Sequence, residues 1–75
     1  MKEIVITYCK PCGYLKRAEQ AASIINDRFK IKAELIPGKG GIFEITVGGK
    51  VVSKKLRTGF PSEEEILAAV LFELS

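Results

Sequence analysis

The residues best suited to covalent chemistry are Cys9 and Cys12, in the run Tyr8-Cys9-Lys10-Pro11-Cys12-Gly13-Tyr14. A thiolate attacks disulfides, and a second thiol close by can displace a bound partner from the mixed disulfide. These are the chain's two cysteines, and it has no histidine. In a reducing compartment such a Cys-x-x-Cys reads as a redox pair rather than a structural staple. A zinc site normally takes four Cys, His or carboxylate ligands. One pair supplies half of them, so zinc would need a dimer or borrowed carboxylates, and no metal is expected. A plainer reading makes both cysteines small buried hydrophobes. The Lys10-Pro11 insert argues against it, because it should bring at least one sulfur to the surface.

Several elements must position these thiols. Lys2 to Tyr8, with Ile4, Val5 and Ile6 in succession, reads as a strand buried on both faces or nearly so. Gly13 to about Asn26 reads as a helix, with Leu15, Ala18, Ala22, Ile25 and Phe29 as its apolar stripe. Cys12 would then sit in the first helical turn, where unpaired N–H groups and the dipole favour a thiolate. Pro11 suits a helix start because its missing N–H is not needed there. Lys10 adds positive charge, and Gly13 leaves room for a partner's backbone. Without a histidine, Glu44 is the candidate proton acceptor, being mid-strand among apolar residues. A solvent-facing strand acid is the plainer alternative.

Ile31 to Ile36 alternates and reads as a second strand, parallel to the first through a right-handed crossover. Pro37-Gly38-Lys39-Gly40-Gly41 is a loop. It is either a plain turn or a segment kept small beside the thiols. Ile42 to Val47 and Lys50 to Leu56 form a hairpin about Gly48-Gly49, with Val52 and Leu56 on one face of its second strand. Arg57 to Pro61 is a loop. Ser62 and Glu65 form a capping box for a second helix, whose stripe is Ile66, Leu67, Val70, Leu71 and Leu74. The order β-α-β-β-β-α over 1–75 describes one domain. It is an α/β two-layer sandwich, a mixed four-stranded sheet with both helices on one face. The other face, carrying Ile42, Thr46 and Val51, is a candidate surface for a weak homodimer.

Twelve basic against nine acidic residues give +3, a mild excess that suits a solvated surface. No basic cluster is interleaved with aromatics, so nucleic-acid binding is not expected. No apolar run approaches the ~20 residues that span a bilayer, so no membrane association is expected. Lys2 and Glu3 lead straight into a strand without a signal-peptide pattern, which makes the cytoplasm the default compartment.

The ordered set Cys9-x-x-Cys12, Gly41-Ile42-Phe43-Glu44, Ser53-Lys54-Lys55 and Gly59-Phe60-Pro61 resembles the selenoprotein W / Rdx family over essentially the whole chain. The resemblance implies a thioredoxin-like fold and thiol-based redox chemistry. Many members carry selenocysteine at the position of Cys12. That implies Cys12 as the more reactive group, with Cys9 resolving; in ordinary thioredoxins the first cysteine attacks. The resemblance also implies glutathione as a reductant. Thioredoxins keep a cis-proline before the third strand, where this chain has Gly40-Gly41. The partner site should therefore differ, with Gly40, Gly41, Phe43 and Phe60 as docking candidates.

Two functions are compatible with this reading. One is a small thiol–disulfide oxidoreductase acting on protein or low-molecular-weight thiols and disulfides. The other is a redox-responsive binding module without turnover.

Overall fold

A computed structural model describes residues 3–56 and 59–74. Its elements are β1 (Ile4–Cys9), α1 (Leu15–Phe29), β2 (Glu34–Gly38), β3 (Phe43–Val47), β4 (Lys50–Lys54) and α2 (Glu63–Leu74). The sheet order is β2-β1-β3-β4, with β1 parallel to β2 and the other pairs antiparallel. The expected helix–strand order and mixed sheet are therefore present. Three of the residues read from sequence, Lys2, Arg57 and Thr58, lie outside the described residues.

Alternation along β1 and β3 builds the core. Ile4 faces Val47, Ile6 faces Ile45 and Tyr8 faces Phe43 across the ladder, and all six side chains are buried. They join Ala18, Ala21 and Ile25 of α1 and Ile66 and Val70 of α2 in one cluster. Both helices thus cover the same face: α1 lies over β1 and β2, α2 over β3 and β4. The small Ala18 and Ala21 let α1 approach the sheet closely. Val5 and Thr7, on the opposite side of β1, are half-buried. The central strand is therefore fully covered on one face only, which corrects the expectation of burial on both.

The helix-free face carries the row Val5–Thr46–Val51 and the row Thr7–Glu44–Lys54. Ile36 lies beside Thr7 and is 41% exposed. The face is semi-apolar, as its alternation implied.

Other boundaries and faces differ from the sequence reading. The strand after α1 begins at Glu34 rather than Ile31 and runs through Pro37 to Gly38. Proline is tolerated because β2 is an edge strand. α1 runs on to Phe29 and ends in a left-handed Lys30, whose N–H donates to the Asn26 carbonyl. At the start of that helix Leu15 is exposed, while Ala21 takes a core position. In β4 the pairing moves from Thr46–Val51 to Ile45–Ser53, leaving Val52 as a bulge. A bulge resets the side-chain parity. Leu56 is consequently turned outward, 58% exposed, rather than sharing a face with Val52. In α2, Leu71 is likewise exposed.

Two local devices match the sequence. Gly48 and Gly49 both have positive φ, as a two-residue hairpin turn requires. The Glu65 N–H donates to the Ser62 hydroxyl at 3.2 Å, and the Ser62 N–H donates to the Glu65 carboxylate at 3.3 Å. Ser62→Ala should therefore cost about 1 kcal/mol, a fall in melting temperature of about 4–8 °C for a domain of this size. Ile45→Ala leaves a cavity in the core and should cost about 2–5 kcal/mol. Urea midpoints measure both. An Ile45→Ala protein as stable as the parent would contradict this core.

Candidate functional site

The central strand ends at Cys9 and is held from both sides there. The Cys9 N–H donates to the Ile42 carbonyl at 2.7 Å, before β3, and the Lys10 N–H donates to the Gly38 carbonyl at 3.1 Å, at the end of β2. Lys10-Pro11-Cys12-Gly13 then forms a β-turn closed by the Gly13 N–H donating to the Lys10 carbonyl at 3.1 Å. Pro11 takes the second position, where its preset φ belongs. Gly13 has a φ of +79° that disfavours any side chain. The Tyr14 N–H reaches back to the Cys9 carbonyl at 3.2 Å, and α1 starts at Leu15.

This arrangement corrects the expected helix start at Gly13. Gly13 is left-handed, so it cannot be helical, and Pro11 belongs to a turn rather than to a first helical turn. Cys12 stands three residues before the first helical residue. The helix dipole, which fades within a turn, is a smaller influence on its sulfur than the sequence implied.

Cys9 and Cys12 form a disulfide with Cα atoms 5.3 Å apart, within the usual range. The two sulfurs are not equivalent. Cys9 is 0% exposed, whereas Cys12 lies on the exposed turn. Lys10, Pro11 and Gly13 are exposed around it.

The loop between β2 and β3 does border the Cys9–Cys12 turn, through Gly38 and Ile42. Gly40 and Gly41 have φ of +78° and +79°, and a Cβ on either would meet nothing within 4 Å. Their backbone conformation, rather than crowding within the chain, calls for glycine. Gly38 is the crowded position: a Cβ there would lie 2.9 Å from the Ile42 Cγ2 atom. Sequence reading placed Gly38 in the loop and gave it no role. Its location after Pro37 was the available signal.

Phe43, expected as a docking candidate, is 3% exposed and packs beneath the helices, so its ring is not open at the surface. Phe60 is half-buried. Its ring meets Tyr14 edge-on at 4.9 Å and Phe43 edge-on at 5.2 Å. The Arg17 guanidinium lies 4.4 Å from its centroid and the Lys55 ammonium 5.7 Å. Much of the ring is thus committed within the chain. Tyr14 and Arg17 were not singled out from sequence; an aromatic directly after the motif, with a base three residues on, was the signal. Glu44 sits on the helix-free face opposite Thr7 and Lys54, set back two residues from the strand end that carries Cys9. Lys54 stands opposite it in the ladder, on the face away from the helices. Among the described residues, no group of three or more Cys, Asp or Glu side chains is placed to hold a metal ion. No helix among them is long and apolar enough to cross a membrane.

Comparison with known proteins follows the same lines. The model of the Rdx family matches residues 3–71. "Migration and invasion enhancer 1" from Mus musculus is 38% identical over 69 residues, and its Bos taurus counterpart 36%. Each alignment takes in 89% of this chain, which spans 60% of the length of these relatives. A crystal structure of a protein from Bordetella parapertussis superposes with a TM-score of 0.88 at 29% identity, covering 96% of both chains. That of a selenoprotein W-related protein from Vibrio cholerae also gives 0.88, at 25% identity, covering 99% of this chain and 98% of the other. The sheet order, the helices on one face and these superpositions make the fold thioredoxin-like. With a family match along nearly its whole length and the Cys-x-x-Cys at the expected strand end, the chain belongs to the Rdx family.

Proposed function

We propose that the protein is a small thiol–disulfide oxidoreductase in which Cys12 attacks and Cys9 resolves. The observation that carries this reading is the unequal burial of the bonded pair, Cys12 exposed and Cys9 fully enclosed. In the reduced protein, the Cys12 thiolate attacks one sulfur of a partner disulfide. A bond forms between Cys12 and that sulfur, and the other partner sulfur leaves as a thiolate that takes up a proton. The Cys9 thiolate then attacks the Cys12 sulfur, re-forming the intramolecular disulfide and releasing the second partner thiol. Two electrons pass to the partner, and the pair is oxidised. A low-molecular-weight thiol such as glutathione can run the sequence in reverse to restore the dithiol. The reading fits a reducing compartment, the cytoplasm, and partners that are protein or small disulfides.

A buried resolving thiol suits these steps. It cannot meet a partner first, yet it lies within bonding distance of the sulfur that does. The turn around Cys12 is open, with glycines at 13, 40 and 41 offering no side chain to a docking chain.

Trapping tests the roles directly. Cys9→Ser should accumulate a mixed disulfide on Cys12, seen by mass spectrometry after incubation with oxidised glutathione or a disulfide peptide and lost on adding dithiothreitol. Cys12→Ser should accumulate little. Equal trapping by both variants would overturn the assignment of roles. If the parent protein neither forms the Cys9–Cys12 disulfide nor exchanges with any disulfide, the oxidoreductase reading fails.

A further inference from the structure

The ring of Phe60 touches side chains from both sides of the molecule. Tyr14 and Arg17 reach it from the start of α1, Phe43 from β3 and Lys55 from beyond β4. The chain is shaped to deliver it. Leu56 and Gly59 exchange backbone hydrogen bonds in both directions at 3.0 Å, and Gly59 has a φ of +133°, a conformation side chains disfavour. Pro61 follows and stiffens the exit. The next residue, Ser62, caps α2. Phe60 is thereby set from a braced bridge against the end of the redox turn.

The partners of this ring matter for the thiols. Tyr14 is the residue whose N–H closes the redox turn onto the Cys9 carbonyl. Arg17 follows it by three residues, so both lie on one side of the first turn of α1. That first turn contains no acidic residue. A guanidinium over an aromatic face is held by the ring quadrupole, so its charge stays in one place instead of sweeping through solvent. The bulge at Val52 also contributes, because its shift of parity turns Lys55 towards the ring.

We infer that Phe60 is a positioning residue for the redox pair: its ring pins Tyr14 at the end of the turn and seats Arg17 as a fixed cation that favours the Cys12 thiolate. The inference rests on the thiol–disulfide reading above and gives the Gly-Phe-Pro segment a place in it. Other charged residues belong to the elements around the turn: Lys10 within it, Lys16 on α1, Lys39 on the loop after β2 and Lys55 beyond β4, with Glu44 on the helix-free face two residues back from Cys9. Glu63 of α2 lines the same groove as Arg17 and Phe60. The role assigned to Phe60 is therefore a contribution beyond these groups, read as a difference between variants.

The test is the pH dependence of Cys12 alkylation in the fully reduced protein, with the modified site identified by peptide mass. Phe60→Leu keeps apolar bulk and removes the quadrupole; Arg17→Gln removes the charge. Each should move the alkylation midpoint upward and slow the reaction at neutral pH by about 3-fold, because a nearby cation raises the thiolate fraction. The double variant should be no slower than the slower single, since the two residues act as one unit. Phe60→Tyr should restore the parental profile. A purely structural Phe60 would lower the melting temperature in Phe60→Leu and leave the midpoint where it was, which would overturn the inference. Additive effects of Phe60→Leu and Arg17→Gln would overturn it too. Failure of the oxidoreductase reading is a separate result: the Cys9→Ser trap would stay empty whatever the alkylation midpoints did.

Discussion

Two backbone hydrogen bonds fix the end of the central strand, and the candidate chemistry depends on them. One ties Cys9 to Ile42 on the β3 side, the other ties Lys10 to Gly38 on the β2 side. A chain end clamped from one side could pivot; clamped from both, it delivers Cys9 to one fully enclosed place. The remaining architecture explains why such a clamp exists. β1 must lie between a parallel and an antiparallel neighbour, which requires the α1 crossover on one side and the return into β3 on the other. Gly38 is part of the same clamp. The 2.9 Å approach that a Cβ there would make to Ile42 shows how closely the two flanking segments converge on the strand end.

Beyond that clamp the chain changes character. Pro11 and Gly13 define a tight turn, so the polypeptide reverses before the helix begins. The helix N-terminus is therefore displaced from Cys12, and its amides are not wrapped about the sulfur. Positive charge near the turn comes instead from side chains, and side chains need to be held to act as fixed charges. Lys10 and Lys39 are exposed on flexible stems. Arg17 differs, because Phe60 lies under its guanidinium at 4.4 Å. In the proposed mechanism, side-chain placement takes the part that the sequence suggested for the dipole.

Much of this was legible in the sequence because the signals were local. The capping box of Ser62 and Glu65, the Gly48-Gly49 turn and the period of Ile4, Ile6, Ile45 and Val47 each report on residues close in the chain. Their structural counterparts match. The errors arose where a distant partner decided the outcome. Ile31 and Ala33 continue the alternation of β2 and pack against the core, yet the ladder to β1 starts only at Glu34. Leu56 has the right period for an inward face, but the bulge at Val52 reverses parity before it is reached. Phe43 looked available for docking in a Gly-x-Phe-Glu motif, although its ladder partner Tyr8 places it under the helices. The helix start failed for a nearer reason: an apolar stripe beginning at Leu15 says where a helix faces, whereas Gly13 says where it cannot yet exist.

The same division between enclosed and open surroundings bears on how one small domain can hold a reactive pair. A thiol enclosed by the core is protected from adventitious partners but is useless unless something brings the partner to it. A thiol on an exposed turn meets partners freely but needs a nearby group to release them. Placing one sulfur at the last residue of a strand and the other on the adjoining turn satisfies both demands within four residues. The arrangement needs little extra structure. It requires a strand end held by hydrogen bonds from both neighbours and an exposed turn bordered by glycines, which carry no side chains. The motif holds no histidine, and the exchange proposed for it begins from a thiolate rather than from a proton carrier.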